Sequence, residues 1–189
     1  MALPRGGIVP AVEIAKALEA PLDLVITKKI GHPNNDEYAI CAISEDGEPV
    51  CNEIEISRVD PKWFENKVEK VRNEIKKRRE MYHLGGAKKS LEGKTVIIVD
   101  DGIATGLTML AAIGEIKSRN PKEIVVAIPV VPGDTAKKLQ ALVDELVALD
   151  IDQSYLGAVG AYYDNFLQVE DSVVMALLKE VARNGGSAE

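Results

Sequence analysis

The segment Val99-Asp100-Asp101-Gly102-Ile103-Ala104-Thr105-Gly106-Leu107-Thr108 leaves this chain few folds to choose from. An apolar run, Thr95 to Val99, precedes it and predicts a buried parallel strand; Met109 to Lys117 follows and predicts a helix. Two adjacent carboxylates therefore end a strand, directly before a Gly/Thr loop at a helix N-terminus. In α/β sheets ligands bind at that place, and the free N–H groups of a helix N-terminus favour an anion. Carboxylates hold sugar hydroxyls or a hydrated metal, while N–H groups and threonine hydroxyls hold a phosphate. A ribose 5-phosphate has all these parts. A lone D-D-G after a strand is often only a turn, but the longer pattern through G-x-A-T-G-x-T into a helix is much harder to reach by chance. No Lys follows Gly106, so the loop is not of the Walker kind, and it lacks the G-x-G-x-x-G of dinucleotide folds.

The remaining elements alternate in a βα manner. Pro10 to Glu19 predicts a short helix with Pro10 in its first turn, and Leu22 to Thr27 a branched apolar strand. The polar run Gly31 to Asp36 predicts a mobile loop. Tyr38 to Ile43 and Val50 to Ile56 predict a hairpin around Asp46-Gly47. Asp60-Pro61 opens a long helix reaching about Tyr82. Phe64, Val68, Val71, Ile75 and Tyr82 form its apolar stripe, and Lys76-Lys77-Arg78-Arg79 a solvated face. Leu84 to Gly93 reads as a loop. Strand 94–100, its helix, strand 123–131, helix 134–142 and strand 145–149 follow, then an irregular stretch 155–168 and a last helix 171–183. The expected fold is one α/β domain, residues 1–183, with a mostly parallel central sheet flanked by helices. A small hood forms at about 151–170, and 184–189 is a flexible tail.

Composition narrows the partners. Lys plus Arg number 23 against 30 Asp plus Glu, a net charge of −7, so no broad positive field attracts nucleic acid or an anionic membrane. No apolar stretch approaches the roughly 20 residues of a bilayer span, and no signal peptide precedes the first motif, which predicts a cytoplasmic protein. In that compartment Cys41 and Cys51, flanking the turn at Ser44–Glu48, are expected as two reduced thiols rather than a disulfide. His32 and His83 have no metal-ligand spacing, which argues against a structural zinc site.

A second constellation, Leu3-Pro4-Arg5-Gly6-Gly7, again precedes a helix. Its glycines let backbone approach an anion, and Arg5 offers a planar fork for phosphate oxygens; alone, the same residues also make an ordinary turn. Together with the first motif it resembles the type I phosphoribosyltransferases. That resemblance implies that Asp100 and Asp101 hold the 2- and 3-hydroxyls of phosphoribosyl pyrophosphate (PRPP). Gly102, Ile103, Ala104, Thr105, Gly106, Leu107 and Thr108 would wrap its 5-phosphate, and Arg5, Gly6 and Gly7 its pyrophosphate. It also implies that Lys29, of the pair Lys28-Lys29, reaches the pyrophosphate, and that His32 to Glu37 close over the reaction with Glu37 as an acid near the nucleophile's proton. Mg²⁺ would be held mainly by ligand oxygens and water near Asp100 and Asp101 rather than by a protein cage.

L-P-R-G-G, K-K-I-G-x-P-x-N, E-Y-A-I, V-D-D-G-I-A-T-G and G-A-Y-Y-x-x-F-x-Q, from Leu3 to about Leu178, resemble a prokaryotic group of predicted phosphoribosyltransferases with an unassigned acceptor. Cys41 departs from that group's usual glycine. The group also begins with a helix and a full first strand, of which only Met1-Ala2-Leu3 remain, and this predicts a trimmed chain or a misplaced start codon with a weakened site. In the branch acting on 6-oxopurines an aspartate stands where this chain has Ala104, so the resemblance is to adenine- and orotate-type loops. The implied reaction is displacement at C1 of PRPP by a nucleobase-like nitrogen, with pyrophosphate leaving. Tyr155, Tyr162, Tyr163 and Phe166 would stack on the acceptor beside Val131 and Pro132, or else serve only as core or as a contact in a homodimer. The alternatives are a non-catalytic PRPP-binding regulator, and a hydrolase or phosphorylase of another sugar phosphate.

Overall fold

The computed structural model describes residues 1–84 and 88–184. Residues 85–87 of the predicted 84–93 loop and 185–189 of the predicted tail lie outside them. The branched runs form the parallel sheet: β4 (Thr95–Val99), β5 (Glu123–Pro132) and β6 (Glu145–Asp152) lie side by side in that order, all parallel. Beyond β4, Ala2 bridges in parallel to both Val99 and Leu24. The Val99 N–H donates to the Met1 carbonyl at 2.9 Å, the Leu3 N–H to the Val99 carbonyl at 2.9 Å and the Val25 N–H to the Ala2 carbonyl at 3.0 Å. Met1–Leu3 thus holds the central place of the first strand, and the Pro4–Gly7 turn is seated at the end of β4.

One core joins Val96, Ile98, Ile124, Val126 and Ile128 of the sheet to Met109, Ala112, Ile113 and Ile116 of α4 (Leu107–Lys117) and to Ala136 and Leu139 of α5 (Gly133–Gln140). A second joins Ala2, Leu24 and Val99 to Ile8 and Val12 of α1 (Ile8–Ala17), Val71 and Ile75 of α3 (Pro61–Met81) and Val174 of α6 (Asp171–Asn184). Each fully buried aliphatic side chain contributes about 1.5–3 kcal/mol, so the motif-bearing strand end is anchored from both faces. β6 is the sheet edge: Leu146 and Ala148 pack toward the α5 core, whereas Val147, Leu149 and Ile151 are 46, 87 and 40 % exposed. Among the described residues no helix is long and apolar enough to cross a membrane.

The antiparallel arm departs from expectation. Only Leu24 of the run 22–27 makes a bridge; the strand proper is β1 (Thr27–His32), antiparallel to β2 (Asn35–Ser44). Gly31 to Asp36 is therefore the tight end of a hairpin turning at Pro33-Asn34 rather than an irregular loop. Polar turn residues signal a reversal but not its tightness, which the pairing of the flanking strands decides. β3 (Val50–Cys51) ends early because Asn52 accepts from the Ile54 and Glu55 N–H groups and starts a one-turn helix, α2 (Glu53–Ile56). Asp60 caps α3 as predicted, accepting from the Trp63 N–H at 2.7 Å.

Arg79 is not on the solvated face. It continues the inward row Val71–Ile75 at intervals of four, is buried, and lies 4.0 Å from Asp23 and 3.7 Å from Glu45. Cys41 and Cys51, expected as thiols, form a disulfide. They sit directly opposite each other in β2 and β3, where Cβ atoms approach to about 5 Å; compartment-based reasoning does not see register.

Candidate active site

Every strand of the parallel sheet delivers its carboxyl end to one rim, and there the two sequence constellations meet. A Cβ on Gly6 would fall 1.7 Å from Asp101 Oδ2. One on Gly7 would fall 2.6 Å from the Leu3 carbonyl oxygen, 2.7 Å from that of Val99 and 2.9 Å from Asp100 Cα. The Pro4–Gly7 turn, whose Pro4–Arg5 peptide is cis, therefore presses its bare backbone against both acids. Arg5 Nη1 stands 3.8 Å from Glu170 Oε2.

The acids share a strained electrostatic setting. The Asp101 N–H donates to Asp100 Oδ1 at 2.9 Å. Burial and the neighbouring Asp101 charge push Asp100 well above the usual carboxylate range, while the Lys29 ammonium pulls it down. Burial also raises Asp101. Alternation along β1 explains which lysine acts here: Lys28 pairs with Glu74 of α3 on one face, and the charge of Lys29 acts on Asp100 from the other.

The loop after the acids is shaped by the next strand and helix. Ile103 is buried and its N–H donates to the Val130 carbonyl at 2.9 Å. Thr135 Oγ1 donates to the Ala104 carbonyl at 3.3 Å. Gly106 has φ +80°, a left-handed conformation that favours glycine, and a Cβ there would lie 2.9 Å from Thr135 Cγ2. As N-cap of α4, Gly106 has no side chain to satisfy the first-turn N–H groups, the arrangement that suits an anion. Thr105 is exposed; Leu107 and Thr108 are half-buried in that first turn.

The hood covers the acids from the C-terminal side. A short 3-10 turn, Val159–Tyr162, rests on the loop, since a Cβ on Gly102 would meet Val159 Cγ1 at 2.5 Å. Tyr163 Oη donates to the Asp101 carbonyl at 2.6 Å, and its ring is tilted against Phe166 at 5.0 Å. Tyr162 is stacked on Tyr155 at 5.4 Å; its hydroxyl donates to Asp152 and accepts from the Leu156 N–H. Val131 has no exposed surface, and Pro132 precedes α5 as its N-cap.

The rim thus gathers Arg5, Gly6, Gly7, Lys29, Asp100–Thr108 and Tyr163. Glu37 is exposed on the β1–β2 arm, which Asp36 ties to Lys67 of α3 at 3.1 Å, and its N–H donates to Asn35 Oδ1 within that arm. Thr135, Val159 and Glu170 escaped the sequence reading. Each lies in an unremarkable run, and only strand order and the path of the hood bring it to the loop. Among the described residues no group of three or more His, Cys, Asp or Glu is arranged to hold a metal. A mainly apolar cleft of about 210 Å³, lined by Met1, Ile14, Leu18, Leu22, Leu91 and Ile97 among others, holds none of the rim residues.

Known proteins are similar to this chain over all or nearly all of its length. "Putative phosphoribosyl transferase Rv0571c" of Mycobacterium tuberculosis H37Rv is 36 % identical over 190 residues, covering all of this chain and 43 % of that protein. "Putative phosphoribosyl transferase MT0597" of strain CDC 1551 matches to the same extent. The chain thus spans less than half the length of these curated relatives. The crystal structure of TT1426 from Thermus thermophilus superposes with a TM-score of 0.77 at 39 % identity, over 95 % of this chain and 85 % of that one. The family model of the phosphoribosyl transferase domain matches residues 1–165, which contain the Pro4–Gly7 turn, the acid pair, the loop after it and the hood turn that rests on Gly102. By that match, the chain belongs to the phosphoribosyl transferase domain family.

Proposed function

We propose that the protein transfers the phosphoribosyl group of PRPP to a nucleobase-like nitrogen, releasing pyrophosphate. The observation that carries this reading is the contact between the Gly6–Gly7 turn and the Asp100–Asp101 pair at the N-terminus of α4. It supports the reading because a backbone turn and Arg5 suited to a pyrophosphate lie beside carboxylates suited to ribose hydroxyls and a helix N-terminus suited to a 5-phosphate. As the bond from C1 to pyrophosphate loosens, positive charge develops on the ribose, and the nearby carboxylates stabilise it. Arg5 and Lys29 meet the charge of the leaving group.

Two carboxylates that repel one another, as Asp100 and Asp101 do, suit a hydrated hard cation. Mg²⁺ would be held there through water and ligand oxygens, and when bound supplies charge neutralisation for the pyrophosphate. Ala104 puts no carboxylate inside the loop, which favours acceptors other than 6-oxopurines. The setting we propose is the cytoplasm.

The test is to incubate the protein with PRPP, Mg²⁺ and a panel of bases and follow pyrophosphate release. Turnover with at least one base is expected. Tight PRPP binding with no turnover on any base points to a regulator, and equal affinity for ribose 5-phosphate and PRPP to a different sugar-phosphate enzyme. Either result overturns the transferase reading.

We also propose a homodimer built on the open face of β6. Val147, Leu149 and Ile151 form an exposed apolar row there. Leu149→Lys is expected to convert a dimer to monomer in sedimentation equilibrium; a monomeric parent protein excludes this arrangement.

A further inference from the structure

We propose that Tyr163 is a positioning residue, whose hydroxyl holds the Asp101 carbonyl so that the hood and the ribose-holding acids form one rigid unit. The inference rests on the PRPP reading above and deepens it. The β4–β5 ladder ends at Val99 and Ala127. Beyond it Val130 of β5 packs on Gly102 and its carbonyl accepts from the Ile103 N–H, but among the described residues no strand is paired to the Asp101 carbonyl. The hood supplies that partner. Tyr163 Oη donates to the Asp101 carbonyl at 2.6 Å across 62 residues of sequence.

One more contact seats the hood on this peptide and another braces the tyrosine. Val159 lies where a Cβ on Gly102 would come within 2.5 Å, so the hood seats on that glycine. Phe166 backs the Tyr163 ring at 5.0 Å and also lies against Gly160, where a Cβ would be 2.9 Å from its Cδ1. Burial and the two aspartate charges raise the Tyr163 hydroxyl, which keeps it a proton donor. A tyrosine with one ring face against Phe166 and its hydroxyl committed is built to hold the turn that aims Asp101. Stacking on an acceptor is not its main task.

The test uses Tyr163→Phe, which keeps the ring and removes only the hydroxyl. Three readouts are needed: calorimetric affinity for Mg²⁺-PRPP, affinity for pyrophosphate alone, and amide exchange at Gly102 and Ile103 in the ligand-free protein. PRPP affinity is expected to fall about three- to tenfold, the worth of one hydrogen bond. Pyrophosphate affinity, which depends on Arg5, Gly6 and Gly7, should hold within about twofold, and exchange at the two amides should speed up by a similar three- to tenfold factor. Unchanged PRPP affinity, or an equal loss for PRPP and pyrophosphate, overturns the positioning role. Should the parent protein bind no PRPP, the functional reading fails by itself. The exchange rates then judge the latch: faster exchange in Tyr163→Phe supports it and unchanged exchange rejects it.

Discussion

Replacing Asp100 by asparagine is expected to stabilise the ligand-free protein at neutral pH while weakening PRPP binding about 10- to 100-fold. Burial and the Asp101 charge hold Asp100 well above its ordinary range in the folded protein, whereas the unfolded chain titrates near about 3.9. The folded state thus binds this proton more readily than the unfolded state. Stability from Asp100 is fully present below the unfolded value and is lost as pH rises through the raised folded value. An asparagine amide carries no such charge, so the melting temperature of Asp100→Asn should exceed that of the parent at pH 7–8, and the gap should close toward pH 4. Binding moves the other way, because a charge-assisted hydrogen bond to a ribose hydroxyl contributes about 1.5–3 kcal/mol. Thermal melting from pH 4 to 8 and calorimetry with Mg²⁺-PRPP check the two halves. Parallel melting profiles for the two proteins would remove the claim of a strained acid pair.

Gly7→Ala is expected to cost about 3 kcal/mol or more, at the upper end of overpacking penalties. At 2–4 °C per kcal/mol for a chain of this size, the melting temperature falls by about 6–12 °C. The added methyl would meet the Leu3 and Val99 carbonyl oxygens and Asp100 Cα at 2.6–2.9 Å, and all three are main-chain atoms tied into the sheet. No rotamer change relieves them. Relief requires the turn to lift from β4, which also pulls Arg5 from the rim, so PRPP binding should be lost with stability. Gly114→Ala is the control: nothing lies within 4 Å of its Cβ position, and a helical Gly→Ala change stabilises by up to about 1 kcal/mol. Equal melting temperatures for Gly7→Ala and the parent protein would falsify the close approach of the two motifs.

Much of the fold was legible because its signals are local. The branched runs of β4 and β5, the Asp60 cap of α3 and the Gly106 turn into α4 each carry their cause within a few residues. What was misread depended on partners distant in sequence. Arg79 looked solvated until Asp23 and Glu45 arrived beside it. Gly31–Asp36 reads as a loop, and the pairing of β1 with β2 makes it the end of a hairpin. Cys41 and Cys51 were expected as thiols on compartment grounds, and their direct pairing in the sheet brought them within bonding reach.

The sequence by itself determined the chemistry of the rim: two acids at a strand end, glycines where backbone must come close, and an uncapped helix N-terminus. Those are properties of residue types at short spacing, and they hold whatever surrounds them. Only the tertiary structure decided that Gly6 and Gly7 lie on Asp101 and Asp100, and that Tyr163 grips the Asp101 carbonyl. Each of these joins residues tens of positions apart, and their proximity comes from strand order and from the path of the hood, which no local pattern encodes.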